Sequence, residues 1–251
     1  MNEPSGFASI EAICEQAREQ FRSCAASKAD EIDKVFVLFL DVFHGIGTLY
    51  NAKQLGGSSQ EAAIAVIVQA VETVLAMYFM AEDGFWTNSL ALKRNYSELM
   101  LVAMAIGYDP QCFIDWKHER DNFASFEKIY RRVEQSKNVP PEEKGVLPLL
   151  KSYWAESSQH FSHSVLRSSI RTLVRDGGVQ FEPKVVTCDF QEGRMCAIRN
   201  MLLNLVSVLL GITNFGPRAY ERREEFPEGA RIIARANDCF QNDTWKNERT
   251  N

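Results

Sequence analysis

Apolar residues recur every three or four positions along most of this chain, with charged and polar residues between them, and few segments alternate in the manner of a strand. Phe7–Lys28 shows the pattern plainly: Ile10, Ile13, Cys14, Ala17, Phe21, Cys24 and Ala25 share one helical face. Asp30 is placed to cap a second helix running to about Leu55, within which Gly45 and Gly47 are expected to bend the helix or end it early. Gly56-Gly57-Ser58-Ser59 breaks the pattern, and Ser58 or Ser59 with Glu61 opens a third helix over about Ser59–Met80, closed by Asp83-Gly84. A fourth spans about Thr87–Ile106, with Gly107 and Pro110 beyond it. A fifth, from Asp109 or Pro110, is long, charged and buried along Phe113, Trp116, Phe123, Phe126 and Ile129.

After the loop Asn138–Pro141 another helix begins near Pro141, with Pro148 marking a kink or a later true start. Val179–Phe190 is rich in β-branched residues and holds a proline, so an extended segment is expected near 179–190. Arg194–Ile212 is a strongly apolar helix, broken by Gly216-Pro217, and Gly229–Phe240 has room for one more short helix. The pattern predicts an all-α fold: a single bundle of about seven helices over residues 1–215, followed by a polar extension over 216–251.

The 251 residues are 45% hydrophobic and 24% charged, which is enough to bury a sizeable core. The net charge of −5 argues against a generally basic nucleic-acid surface. Ala62–Ala81 is about as long as the roughly 20 residues a membrane span needs, but Gln69, Glu72 and Thr73 interrupt it, and Met201–Ile212 is shorter. Buried core helices are therefore expected rather than membrane spans. The six cysteines (14, 24, 112, 188, 196 and 239) form no CxxC, and no basic-then-apolar leader opens the chain, so reduced thiols and a cytoplasmic location are expected.

Candidate chemistry centres on Tyr153–Arg167, where Glu156, His160, His163 and Arg167 fall at i, i+4, i+7 and i+11 on one helical face. A carboxylate and two imidazoles at that spacing are able to share a metal, and Asp41-Val-Phe-His44 would complete the set if the two helices faced each other. The spacing is neither HExxH nor the repeated Glu-x-x-His of di-iron bundles, so no metal is assigned and the residues read as polar contacts between helices. Arg94 and Glu98, four apart on an apolar helix, read as a structural ion pair, with Glu72 on the preceding helix as a further carboxylate in reach of Arg94. The runs Lys117–Asp121 and Arg131-Arg132 read as solvated faces. Phosphate loops, GxSxG elbows and Cys–His nucleophile motifs do not occur.

The order LALKRNYSELMLVAMAIGYDP, WKHERDNF, YWAESSQHFSHS resembles a loose group of uncharacterised bacterial all-helical proteins, over roughly residues 30–210. The matching positions are Arg94 and Glu98, Trp116, and Tyr153, Ser157 and His163. That group is distantly similar to HEPN-type helical bundles, whose active members are ribonucleases with an Arg four to six residues before a His. None of the four histidines here has an Arg at that distance, so the resemblance implies the fold and not the activity. The expected function is interaction or ligand binding without catalysis, as a homodimer and with no cofactor assigned. The alternative is a HEPN-like or metal-dependent hydrolase built on Arg94, Glu98, Glu156, His160 and His163.

Overall fold

The computed structural model describes residues 10–50, 58–118, 125–157 and 188–241, and these are helical with no strand among them. His160, His163 and Arg167, and residues 179–187 of the expected extended segment, lie outside the described residues. The described residues form ten helices rather than about seven. They are α1 (Ile10–Leu49), α2 (Ser59–Glu82), α3 (Trp86–Tyr108), α4 (Pro110–His118), α5 (Phe126–Gln135), α6 (Pro141–Lys144), α7 (147–157), α8 (Cys188–Thr213), α9 (Phe215–Glu221) and α10 (Glu228–Gln241). The additional helices are mostly short, of 9, 4 and 7 residues for α4, α6 and α9, too brief for an apolar period to declare itself.

The α1 helix is one unbroken run of 40 residues where a cap at Asp30 was expected to start a second. A capping residue is only a local preference, and the buried stripe Phe21, Ala25, Ile32, Val35, Leu38, Val42, Ile46 and Leu49 continues past it without a change of face. Gly45 does not end the helix either. A Cβ there would stand 2.9 Å from the Phe215 ring, so the glycine admits that ring against α1.

Ser58 caps α2 as expected, its side chain accepting from the Glu61 amide at 3.1 Å. Gly84, at φ +84°, turns the chain into α3, and the Ser89 hydroxyl donates back to the Met77 carbonyl at 2.9 Å. The single charged helix expected after Asp109 is two helices, α4 and α5, the second capped by Ser125 and buried along Phe126, Ile129, Tyr130 and Val133. After α6 the chain turns at Gly145–Val146, and Pro148 sits in the first turn of α7, where a proline is tolerated.

Helix α8 is the central element. Met195, Met201, Leu202, Leu205, Val206 and Leu209 are buried in it, between α1 on one side and α2 on the other. It begins at Cys188, so the last three residues of the expected extended segment are helical. Asn214, in the left-handed region at φ 51°, makes the break that was expected at Gly216-Pro217, and those two residues fall in the first turn of α9. Helices α9 and α10 pack on α1: the Arg222 guanidinium donates to the Leu49 carbonyl at 2.9 Å, Arg235 pairs with Asp41, and Arg218 lies over the Tyr50 ring at 4.3 Å.

Among the described residues two helices are long and apolar enough to cross a membrane, Ser59–Glu82 and the stretch Gln191–Thr213, which is longer than the Met201–Ile212 run alone. The apolar windows are 39% and 67% buried inside the fold, the condition of core helices in α8 more than in α2, so membrane association stays open.

Cys24 of α1 and Cys188 of α8 are joined by a disulfide across 164 residues of sequence, which corrects the expectation of six reduced thiols. Sequence spacing could not reveal the pair because the two cysteines meet only through the packing of α1 on α8. Unreduced protein in denaturant is therefore expected to titrate four thiols (Cys14, Cys112, Cys196 and Cys239) and six after reduction. Six thiols before reduction would contradict the bond.

Candidate functional site

On α3 the residues Lys93, Tyr96, Ser97, Met100 and Met104 follow helical spacing along the buried face, so Lys93 enters the core in register with apolar neighbours. Its residue is only 4% exposed. The ammonium ends 2.9 Å from the Glu156 carboxylate on α7 and 4.6 Å from the centre of the Tyr153 ring, a cation–π contact. Burial lowers the Lys93 pKa, the Arg194 charge on α8 lowers it further, and Glu156 partly offsets both. Burial lowers Arg194 as well, with Glu156 acting against it. Two cations and one carboxylate from three helices thus form one electrostatic unit, backed by tyrosine.

The unit is held on its inner side. Tyr96 is fully buried, tilted against Tyr153 at 6.3 Å, and donates to the Met201 carbonyl at 3.2 Å. The Ser97 hydroxyl donates to the Lys93 carbonyl at 2.9 Å, and Ser157 of α7 donates to the Leu90 carbonyl at 3.0 Å. Glu156 itself is half-exposed, so the ion pair has one dry partner and one wet one.

Arg94 and Glu98 do form the expected pair, at 2.9 Å, but on an exposed flank of α3 rather than in the core. Glu98 also accepts from the Trp154 indole at 3.1 Å, with Arg94 5.4 Å above that ring and Phe126 stacked on it at 4.7 Å. An exposed pair of this kind contributes only about 0.3–0.5 kcal/mol. Glu72 does not reach Arg94. It is exposed and lines an open groove of about 430 Å³ between α2 and α3 with Gln69, Thr73, Leu92, Asn95 and Leu99. Asn95 donates there to the Thr73 hydroxyl at 3.2 Å.

Of the expected cluster, then, Tyr153 and Glu156 meet at Lys93, Arg94 and Glu98 meet at Trp154, and His160 and His163 lie outside the described residues. Asp41 is engaged by Arg235 and His44 is exposed; no group of three metal-ligating side chains occurs among the described residues. Lys93 and Arg194 were not singled out from the sequence. The available signal was a lysine on the core face of α3, four residues before Ser97 and seven before Met100. Comparison with known proteins returns no matching protein family, curated protein or solved structure.

Proposed function

We propose that this all-helical protein acts through protein interaction, as a homodimer that pairs along the outer face of α1. The observation supporting it is the row Val37, Leu40 and Phe43, spaced three residues apart and 46%, 47% and 42% exposed, at the surface of the longest helix. Large apolar side chains in a row on one helix favour a helical partner. A two-fold axis through Leu40, with the helices antiparallel, sets Val37 of each copy opposite Phe43 of the other, the self-complementary arrangement an isologous dimer needs. Gly47, exposed and with open space at its Cβ, adds no side chain to hold the two helices apart.

Native mass spectrometry or light scattering is expected to return twice the 28.5 kDa chain mass. Leu40→Glu sets two carboxylates against each other at the axis and is expected to give monomer while leaving monomer stability within about 0.5 kcal/mol, as for a surface change. A wild-type monomer at high micromolar concentration would end the proposal.

The disulfide bears on where this happens. Such bonds persist in oxidising compartments and are rare in the cytosol, so a cytoplasmic protein would hold Cys24 and Cys188 as thiols.

A further inference from the structure

The corner between α6 and α7 is docked on α8 through one carboxyl group. Glu143 of α6 is 8% exposed, and its Oε1 accepts from the Ser207 hydroxyl of α8 at 3.0 Å. The phenol of Tyr108, at the end of α3, is buried beside it and makes no hydrogen bond among the described residues. Both groups lie over Gly211 of α8. A Cβ on that residue would meet the Tyr108 hydroxyl directly and stand 3.2 Å from Glu143 Oε1, so only glycine leaves them room. No cation pairs with Glu143 among the described residues, and the nearest lysine in sequence, Lys144, is turned to the Ser136 carbonyl at 2.6 Å. Glu142, on the same short helix, adds a like charge.

We propose that the Tyr108–Glu143–Ser207 cluster over Gly211 is a proton-operated latch: protonated, Glu143 holds the α6–α7 corner against α8, and ionised, it loosens that corner. A buried carboxylate with one hydroxyl donor and no paired cation is poorly stabilised, and the neutral acid avoids most of that cost. Burial accordingly pushes the Glu143 carboxyl up to about 6, with Glu142 acting in the same direction and Ser207 against it. The sign follows: the folded value is raised, so the stabilisation is fully present below the ordinary carboxyl range and is lost as pH rises through about 6. The corner leads straight into α7, which carries Tyr153 and Glu156, so the latch bears on the Lys93 unit as well.

The test is hydrogen exchange by mass spectrometry on the full chain, corrected for intrinsic rates, from about pH 5 to about pH 8. A rise from 4.5 to about 6 corresponds to roughly a 30-fold effect in full, of which about 8-fold falls between about pH 5 and about pH 8 as loss of protection across 139–157 in the wild type. Glu143→Gln, which keeps the shape and cannot ionise, is expected to show no such loss. The same pH profile in both proteins would overturn the latch, and so would an equal loss in every helix. Carbon NMR of labelled glutamate in the wild type provides a readout that needs no variant: a carboxyl titrating near 6 and assigned to Glu143 supports the proposal, and its titration at the ordinary value overturns it.

Discussion

Phe215→Ala is expected to lower the stability of the whole molecule by about 3–5 kcal/mol, the range for truncating a fully buried aromatic side chain. The Phe215 ring is completely buried, edge-on to Phe226 at 6.3 Å and pressed on the α1 backbone where Gly45 lacks a side chain. Nothing nearby collapses easily into the space, because Phe226 is held by its own turn, its amide donating to the Arg222 carbonyl at 2.8 Å. Gly45→Ala approaches the same contact from the other side and is expected to cost about 1–3 kcal/mol by overpacking. Chemical denaturation followed by circular dichroism and by tryptophan fluorescence measures both. A single, earlier transition in Phe215→Ala would mean that α9 and α10 unfold with α1. Two separate transitions would mean that the residues after 215 form a unit of their own, as the change to a more polar sequence after 215 first suggests.

The second large effect is expected at Glu156. Glu156→Gln removes the carboxylate bound to the Lys93 ammonium and leaves that buried cation facing Arg194, at a cost of about 3 kcal/mol at neutral pH, the lower end of the range for breaking a buried pair, because Glu156 is itself half-exposed. The cost is expected to shrink in alkali. Lys93 has a lowered pKa in the fold, so the unfolded chain binds the proton more tightly, and stability rises as pH climbs from the lowered value toward the ordinary 10.5. A neutral amine needs no counter-charge. Lys93→Met removes the buried charge outright and is expected to lie within about 1 kcal/mol of the wild type, since an apolar replacement for a buried ion is often neutral or stabilising. Thermal denaturation at neutral and alkaline pH separates the cases. If Glu156→Gln lost the same stability at every pH, the pair would be a packing contact rather than an electrostatic one.

These two sites differ in how far the sequence announces them. Glu156 stood out because a polar stripe was visible on one helical face, and Tyr153 through the resemblance, yet the companions considered for Glu156 were His160, His163 and the Asp41/His44 pair and not a lysine on α3. Arg94 and Glu98 were read correctly as a pair, since i and i+4 on a helix are neighbours whatever the fold does. Glu72 was misread, because an apolar helix need not be buried on every side, and its side chain lies in the open groove between α2 and α3.

The sequence by itself determined what short-range physics controls: the helical character of the described residues, the Ser58 cap, the turn at Asp83-Gly84, and the apolar stripes that become the core of α1 and α8. Each depends on residues within a few positions of one another, where periodicity and capping act directly. The tertiary structure alone decided which polar groups share a buried space. Lys93 meets Glu156 across 63 residues, Glu143 meets Ser207 across 64, and Cys24 meets Cys188 across 164. No local preference encodes those distances. They follow from which helices pack together, α3 with α7, α6 with α8 and α1 with α8, and burial then turns ordinary side chains into shifted acids and bases.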